Sequence, residues 1–377
     1  MPIISKRIEN FKLEREFARY EFSTRYMASS SDAETMSVGA LVALAGKKLE
    51  DFSDIPLGYT DSHGSLELRK EIAKKYKGFD PSMILVHVGA EEAIFNFFQA
   101  VLKAGDHIVV HTPCYQSFLS VPQSLGIEIS EWRETWENQF KVSVKDLEKL
   151  IRPNTKAVFI NFPHNPTGSV LQKEEQVSLI SLLRAKDIFL FSDEVYEGIE
   201  FESHSKVPPI CEIYENALSL GVLSKAYGLA GLRLGWIATQ RKDIYQAMAA
   251  QKDYTTICHS PLVEALALVA LQNEKQIVAR NLQITQNNVK VALSFLQKWN
   301  GYFEWVPPLG STMMFPRAKD LAFFEKFWNL SLDNYGVFIV RGTNFGMPAN
   351  YFRFGMGRKD FSQVIELLDN CMKELNS

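Results

Sequence analysis

Residues 219–238 read SLGVLSKAYGLAGLRLGWIA and place a single lysine, Lys225, within a stretch of apolar residues and glycines. An arginine, Arg233, follows eight positions after this lysine. Lysine is costly to bury, and glycine weakens both helices and strands, so each needs a reason in such a stretch. The stretch therefore indicates a buried strand that ends at a lysine with a function.

Upstream of this stretch, from about residue 80, short apolar runs alternate with helical patterns. The predicted strands are 83–89, 107–112, 157–162, 188–193, 218–224 and 235–239. Most of them lack polar alternation, which is typical of strands buried on both faces, and helical patterns at 90–105 and 173–186 lie between them. Strand–helix alternation of this kind predicts an α/β fold with a largely parallel, doubly wound sheet.

The pattern changes after about residue 260. A long helical stretch at 261–299 is followed by short strands and by helical patterns at 320–330 and 360–375, which predicts a smaller α+β domain. The predicted organisation is an N-terminal arm or part of the small domain at 1–45, a large domain at 46–270 and a C-terminal small domain at 271–377.

Composition limits the classes of function. The 377 residues suffice for two domains, and the net charge of −3 gives no electrostatic footprint for nucleic acid or an anionic membrane. The N-terminus lacks the apolar core of a secretory signal, and no apolar run approaches membrane-spanning length. The cysteines have neither zinc-ligand nor disulfide-framework spacing. We expect a cytoplasmic protein without a metal site that binds neither nucleic acid nor membrane.

Polar residues collect where the predicted strands end, which is where ligands bind in open α/β sheets. Gly89 follows one strand and opens a helix, so the backbone N–H groups there can hold an anion. The loop NFPHNPTG at 161–168 follows a second strand and is shaped by its prolines and glycine. Two further strand ends carry Asp193 with Tyr196 and Ser224 with Lys225.

An anion site, a carboxylate, a phenol, an amide and a lysine match the needs of a phosphorylated pyridine aldehyde. The segments NPTG, SDEVY and SKAYGLAGLRLG, in this order and with these separations, make the chain resemble the fold type I pyridoxal 5′-phosphate (PLP) enzymes, specifically the class I/II aminotransferases. The resemblance extends from about residue 57 to 357. It implies a large PLP-binding domain, with a mostly parallel sheet and helices on both faces, and a smaller α+β domain.

The resemblance implies catalytic roles for three residues. Lys225 would form a Schiff base with PLP and, once substrate displaces it, move the proton at the substrate's Cα. Asp193 would face the pyridine nitrogen and favour its protonated form, which strengthens the ring as an electron sink. Tyr196, together with Asn165, would hydrogen-bond the 3′-oxygen of the ring.

It also implies binding roles. Tyr115 would stack on the ring, Arg353 would clamp the substrate α-carboxylate by a planar two-point contact, and Asn165 would also contact the substrate. Tyr59 would reach the cofactor phosphate from the neighbouring subunit, which implies a homodimer with shared active sites. The remaining cofactor contacts would come from Gly89, Ala90, Glu91, Ser224 and Arg233.

The chain departs from the commonest family pattern in two places. Val222 stands three positions before the lysine, where a phosphate-binding hydroxyl is frequent. Glu91 replaces a small hydroxyl residue and brings a carboxylate near a dianion, so either this carboxylate points away or the phosphate is held differently. The segment 26–41 lacks the usual glycine-rich substrate loop, and the loop 253–261 has no arginine, which disfavours a dicarboxylate substrate.

The leading hypothesis is an aminotransferase that moves an amino group between an amino acid and a 2-oxo acid. The alternative keeps PLP but changes the reaction to that of a C–S β-lyase or an amino-acid cyclase, because the cofactor stabilises the same carbanion in each. A PLP-binding regulator without turnover is disfavoured, since only about 45 residues precede the predicted large domain and the net charge is negative.

Overall fold

The structure, a computed structural model, describes residues 8–202 and 205–377. Its α-helices in these ranges are α1 (Lys12–Tyr20), α2 (Val38–Ala43), α3 (Leu66–Ala73), α4 (Gly89–Val101), α5 (Ser117–Ser124), α6 (Val144–Leu150), α7 (Lys173–Ala185), α8 (Ile210–Ile213), α9 (Lys242–Lys252), α10 (Pro261–Gln272), α11 (Glu274–Lys298), α12 (Leu321–Asp333) and α13 (Phe361–Leu375). Its strands are β1 (Tyr26–Met27), β2 (Ile84–His87), β3 (His107–Thr112), β4 (Glu128–Arg133), β5 (Thr155–Asn161), β6 (Phe189–Asp193), β7 (Ala217–Val222), β8 (Gly235–Thr239), β9 (Phe303–Glu304), β10 (Met313–Met314), β11 (Arg317–Ala318), β12 (Val337–Phe338), β13 (Val340–Arg341) and β14 (Phe352–Gly355).

A seven-stranded sheet in the order β2-β8-β7-β6-β5-β3-β4 forms the centre of the fold. The strands from β7 to β4 are parallel, whereas β8 runs antiparallel to both of its neighbours. The predicted α/β class and mostly parallel sheet are confirmed. The sequence analysis did not predict β4, because this edge strand is largely polar and only one of its residues is buried.

The direction of β8 follows from its connection to β7. The segment 223–234 between them contains only a short 3₁₀ turn, and a parallel connection would need a longer crossover, usually through an α-helix. The two strands pack tightly, since a Cβ atom at Gly221 would lie 2.5 Å from the indole ring of Trp236. A glycine in β7 is therefore required by this close approach rather than by a turn.

Aromatic packing fills one face of the sheet. Phe97 of α4 contacts Phe159 of β5 edge to face at 5.6 Å, and Phe159 stacks on Phe191 of β6 at 5.2 Å. These rings belong to a buried cluster that also includes residues of α5 and α9. The continuous apolar runs seen in the sequence therefore correspond to strands covered by helices, as expected for this class.

A second cluster joins the C-terminal part of the chain to its N-terminal segment. It contains buried residues of α11, α12 and α13 together with Leu13 and Ala28, and β1 pairs in parallel with β12 through Tyr26 and Val337. The helical stretch predicted at 261–299 consists of two helices, α10 and α11, which meet at Asn273. The domain boundaries at residues 45 and 270 remain predictions.

None of the helices within residues 8–202 and 205–377 combines the length and the apolarity that crossing a membrane requires.

Candidate active site

Several of the predicted site residues lie where the parallel strands end, along the carboxyl-terminal edge of the sheet. Asn161 at the end of β5 is paired with Asp193 at the end of β6, which is paired with Leu220 of β7. The antiparallel β8 begins at this same edge, because Gly235 is paired with Val222. The chain therefore leaves the sheet towards Lys225 and returns to it just after Arg233.

The start of α4 and the start of β8 form a cradle for an anion. Gly89 has a φ of +77°, and a Cβ atom there would lie 2.7 Å from Nη2 of Arg233. A Cβ atom at Gly235 would lie 2.9 Å from the carbonyl carbon of Gly89. Arg233 Nη1 donates to Ser224 Oγ at 3.3 Å, so guanidinium, hydroxyl and helix N-terminus meet at one place, as in phosphate sites.

Glu91 lies in the first turn of this helix. Its Oε1 accepts a hydrogen bond from the hydroxyl of Ser117, the first residue of α5. Burial raises the pKa of Glu91, although the Ser117 hydrogen bond and the charge of Arg233 oppose that rise. The contact with Ser117 favours the expectation that the carboxylate turns away from the phosphate.

Lys225 lies three residues beyond β7, and its Nζ donates to Ser31 Oγ at 2.8 Å. Burial lowers the pKa of Lys225, and the nearby charge of Arg353 lowers it further, whereas the charge of Asp32 raises it. A lowered pKa makes the neutral amine, which is the nucleophilic and basic form, more accessible near neutral pH.

Asp193 is buried at the end of β6, where its Oδ1 accepts a hydrogen bond from the backbone N–H of Val195 at 3.2 Å. Burial raises the pKa of Asp193 to about 7, while the Val195 hydrogen bond and the charge of Lys225 act to lower it. A carboxyl with such a pKa is poised to ionise when a cationic group such as a pyridinium comes near.

Arg353 lies in β14 and is fully buried. Its Nη1 donates to Asn165 Oδ1 at 3.0 Å and its Nη2 donates to the Ser29 carbonyl at 2.7 Å. Burial lowers the pKa of Arg353 to about 10, so it is still a cation near neutral pH. Its Nε is buried and lacks a hydrogen-bond partner in the described structure, which leaves donor capacity for a ligand.

Asn165 lies in the loop that follows β5, which is fixed to the sheet edge by Asn161. The Asn165 backbone N–H donates to Asn161 Oδ1 at 2.9 Å, and Asn161 Nδ2 donates to the Asp193 carbonyl at 3.0 Å. The structure thus connects the two site residues that the sequence places in NPTG and SDEVY.

The two tyrosines predicted to contact the cofactor ring lie at different depths. Tyr196 is buried, its hydroxyl lies 4.0 Å from Met313 Sδ, and burial raises its pKa. Tyr115 is partly buried, its hydroxyl donates to Glu14 Oε1 at 3.0 Å, and its ring centroid lies 4.8 Å from that of Phe11. Both phenols are therefore protonated near neutral pH.

Tyr59 is 92% exposed and points away from the protein interior of this single chain. The neighbouring Thr60 is anchored by a hydrogen bond from its Oγ1 to the His259 carbonyl at 2.8 Å. The predicted role of Tyr59 in a partner's site remains a prediction.

The segment 28–32, ASSSD, forms one wall of the site, although no residue in it was predicted to contact the site. Ser29 and Ser31 contact Arg353 and Lys225, and Asp32 forms a two-point ion pair with Arg358 at 3.0 Å. The only signal in the sequence is an unusual run of small polar residues, and no spacing rule connects it to residues about 200 or more positions away.

A buried cluster of two histidines and a glutamate packs against the loop that carries Asn165. His111, Glu134 and His164 offer ligand atoms within 4.8 Å of one another, a donor set that could hold a metal ion. The hydroxyls of Thr167 and Ser169 already donate to Glu134 at 2.8 and 2.5 Å. Burial raises the pKa of Glu134, but the two histidines outweigh it and hold that pKa below its usual range. Both carboxylate oxygens of Glu134 thus accept a hydrogen bond from a hydroxyl of this loop.

The cradle, the buried carboxyl and the partly buried lysine at one edge of the sheet are compatible with a fold type I PLP-dependent enzyme. The family model described as Aminotransferase class I and II matches residues 37–369, and the chain belongs to this family. Its cofactor is accordingly PLP, and it acts on amino acids and 2-oxo acids. The cofactor fits the residues present, because a Cβ atom at Gly89 would collide with Arg233 and one at Gly235 with the Gly89 backbone, so the glycines let the arginine and the helix N-terminus converge on one anion.

Two curated relatives illustrate the range of this similarity. The chain is 29% identical to a capreomycidine synthase from Streptomyces vinaceus over 339 residues, which cover 89% of this chain and 86% of the relative. It is 28% identical to an aspartate aminotransferase from Bacillus subtilis (strain 168) over 331 residues, which cover 84% and 82% of the two chains.

Two solved structures have nearly the same fold. A PLP-dependent aminotransferase from Streptococcus suis 89-1591 superposes with a TM-score of 0.92 at 27% identity, covering 99% of this chain and 100% of that one. The PLP-dependent cyclase OrfR superposes with a TM-score of 0.91 at 26% identity, covering 100% of both chains.

Proposed function

We propose that this transaminase uses Lys225 as the group that holds the cofactor and then moves the proton at the substrate's Cα. The observation that carries this assignment is the position of Lys225 at the sheet edge, where its charge interacts with those of Asp193 and Arg353. PLP, when bound, withdraws electrons from the bonds at the Cα atom of the amino acid. Lys225 Nζ takes the Cα proton in its neutral form, which burial favours.

Asp193 and Tyr196 would tune the cofactor from two sides. Asp193 would face the ring nitrogen, where its carboxylate favours the cationic form of that nitrogen. Tyr196 would donate its phenolic hydrogen to the ring oxygen, because burial keeps this phenol protonated. Asn165 would share that oxygen while its Oδ1 holds Arg353.

Arg353 would bind the substrate α-carboxylate. Asn165 and the Ser29 carbonyl occupy two of its nitrogens and fix the guanidinium plane. The buried Nε then has no hydrogen-bond partner in the described structure. The free energy that its N–H group loses on leaving water is regained only when an anion accepts a hydrogen bond from it. The clamp fixes the amino acid so that the Cα–H bond can be presented to Lys225.

A cyclase is the second candidate, and a specific finding favours keeping it. The chain is similar both to a protein named capreomycidine synthase and to a PLP-dependent cyclase. The same lysine, carboxyl and arginine would serve a cyclase, because both reactions begin with loss of the Cα proton. A C–S β-lyase remains only as an outcome of the test.

We further propose a cytoplasmic homodimer. Tyr59 and Leu57 lie in one segment and are 92% and 80% exposed, which is unusual for large apolar side chains close together. A second copy that covers this segment would bring Tyr59 to its own phosphate cradle, as the family resemblance implies.

The assignment of Lys225 is tested by borohydride reduction of the PLP-loaded protein followed by peptide mass spectrometry. We expect a cofactor-sized mass on the peptide that contains Lys225. Lys252, a buried lysine whose Nζ donates to the backbone carbonyls of Ser62 and Ile257, is the internal control and should stay unmodified. A cofactor mass on Lys252 with none on Lys225 would refute the assignment.

The reaction is tested by mixing the holoenzyme with amino donors and following the cofactor spectrum. We expect conversion to the amine form of the cofactor, reversed by adding a 2-oxo acid. Lys225→Ala should abolish this conversion while retaining part of the PLP. Release of pyruvate and ammonia would instead indicate a lyase, and a cyclic product without formation of a 2-oxo acid would indicate a cyclase.

A further inference from the structure

Helix α1, close to the N-terminus of the chain, packs over the candidate active site. The Lys12 backbone N–H donates to Gln116 Oε1 at 2.8 Å, and Gln116 Nε2 donates to the Asn10 carbonyl at 3.0 Å. The helix is thereby docked on the loop that follows β3 and carries Tyr115. Its first turn places Glu14 Oε1 3.0 Å from the Tyr115 hydroxyl.

One face of α1 lies towards Tyr115 and Arg353, two of the proposed site residues. Glu14, Phe17 and Glu21 are separated by three and four residues, so they lie on the same side of the helix. The Phe17 ring centroid lies 6.0 Å from Cζ of Arg353, which places this face opposite the carboxylate clamp. Tyr115 fixes the carboxylate at the N-terminal end of this face.

Both carboxylates belong to the electrostatic environment of the site. The charge of Glu14 acts on Lys225 and Arg353. Burial raises the pKa of Glu21, and the charges of Arg358, Asp32, Glu14 and Lys225 all act on it. Within residues 8–202 and 205–377, the structure shows no ion pair for either carboxylate.

The positively charged side chains of the site are either paired already or would be paired or neutral once cofactor and substrate bind. Asp32 holds Arg358 in a two-point ion pair. If the proposed function is correct, Arg353 would be paired with the α-carboxylate, and Lys225, displaced by the substrate amine, would be in the neutral form that burial favours. Glu14 and Glu21 would then face the substrate side chain without a compensating positive charge, which costs free energy in a partly buried site.

We propose that Glu14, assisted by Glu21, selects amino acids with a cationic side chain, an ammonium or a guanidinium, and rejects dicarboxylic amino acids. This inference rests on the proposed function only in that the amino acid binds between Lys225 and Arg353. A cationic side chain pairs with the Glu14 carboxylate, whereas a second carboxylate on the substrate meets like charge. The absence of arginine from the loop 253–261 removes the obvious partner for a dicarboxylate.

The test uses amino acid analogues that bind but cannot lose a Cα proton. The PLP-loaded enzyme is titrated calorimetrically with α-methylornithine, with α-methylnorvaline, which lacks only the terminal amine, and with α-methylaspartate. We expect α-methylornithine to bind roughly 10- to 100-fold more tightly than α-methylnorvaline, the range for a hydrogen bond to a charged group. We expect α-methylaspartate to bind most weakly of the three.

Substitutions of Glu14 and Glu21 show how much of the preference is due to the charge of each carboxylate. Glu14→Gln should remove most of the preference for α-methylornithine and leave the affinity for α-methylnorvaline nearly unchanged, and Glu14→Asp should restore part of the preference. Glu21→Gln should reduce it less. Glu9→Gln, at an exposed position just before α1, is the matched control and should change nothing.

Equal binding of the three analogues by the wild-type enzyme, or an equal effect of Glu14→Gln on all of them, would overturn the proposal. Preferred binding of α-methylaspartate would overturn it as well. These analogues report binding alone, so the inference and the proposed reaction can fail separately. If the enzyme showed the charge preference but no transaminase turnover, the proposed reaction would be refuted and this inference would stand.

Discussion

Arg353 is buried with only part of its guanidinium satisfied, and this combination makes a prediction at the scale of one residue. Arg353→Lys would keep the charge but lose the planar pair of donors. We expect KM for the amino acid to rise roughly 10- to 100-fold, since a charge-assisted hydrogen bond is lost, with a smaller change in kcat. Steady-state kinetics with a saturating 2-oxo acid would measure both constants.

Arg184→Lys is the control for that substitution. Arg184 forms an exposed ion pair with Glu215 at 2.9 Å, so the same change there should leave KM and kcat as they are. If Arg353→Lys lowered kcat and left KM unchanged, Arg353 would act on the reaction step and not as the carboxylate clamp.

Gly89 gives a second prediction at this scale. Gly89→Ala would introduce a Cβ atom 2.7 Å from Arg233 Nη2 at a φ of +77°. We expect PLP affinity to fall by roughly tenfold or more, because the guanidinium must leave the phosphate cradle. The protein should also lose about 1 kcal/mol of stability from the left-handed backbone. PLP titration of the apo-protein and urea unfolding would separate the two effects.

Gly78 offers a matched control, since its φ is +82° and a Cβ atom there would meet nothing within 4 Å. Gly78→Ala should cost a similar amount of stability and leave PLP affinity unchanged. Equal PLP affinity in the two variants would show that the close approach of Gly89 to Arg233 does not shape the phosphate site.

Most of the site residues that could be predicted from sequence share one property: they lie at or just after the end of a strand, within a recognisable local motif. Lys225, Asp193 and Asn165 belong to this group, and the sheet brings them to one edge. Ser31 and Glu14 could not be predicted, because they reach the site through packing across more than 100 residues of chain. Tertiary packing, not local pattern, determines which side of α1 faces the lysine.

At the scale of elements, most strands of the large sheet and their mostly parallel arrangement were predictable, but the reversed direction of β8 was not. The apolar run at 235–239 predicts a strand but is silent on its direction, which the short connection from β7 decides. The long helical pattern at 261–299 continues through Asn273 because α10 and α11 both bury apolar faces, so periodicity alone does not reveal the break.

The loop that follows β5 gives a prediction at this scale. Glu134→Gln would remove the charge that accepts hydrogen bonds from Thr167 and Ser169 inside the protein. We expect a loss of about 3 kcal/mol in the free energy of unfolding at pH 7, as for a broken buried ion pair. PLP affinity should also fall, because Asn165 lies in the same loop. Urea unfolding and PLP titration would measure these effects.

The pH dependence identifies the charge as the cause. The pKa of Glu134 is lowered in the folded protein from an ordinary value of 4.5, so its stabilisation is present above about pH 4.5 and is lost as the pH falls further. The difference between wild type and Glu134→Gln should therefore shrink from pH 7 to pH 3.5. The exposed Glu137→Gln serves as control. A difference that is independent of pH would mean that packing, not charge, is responsible.

At the scale of the whole molecule, the site is assembled from both ends of the chain. Arg353 and Arg358 lie close to the C-terminus, and they contact Ser29 and Asp32 close to the N-terminus. This contact is tight, since a Cβ atom at Gly355 would lie 1.8 Å from the Ser30 carbonyl oxygen. Substrate binding at Arg353, as proposed above, would therefore be coupled to the order of the N-terminal segment that carries Glu14.

The proposed dimer completes the site at this scale, and Tyr59 tests it. In a shared site, Lys225 of one subunit would work with the Tyr59 of the other. Tyr59→Ala homodimers should bind PLP more weakly, and Lys225→Ala homodimers should be inactive. A heterodimer of the two variants, isolated with two different affinity tags, would contain one site with both defects and one intact site. We expect it to show about half of the wild-type activity per dimer at limiting PLP. If Tyr59 acted within its own subunit, neither site would be intact and the heterodimer would gain nothing over Tyr59→Ala.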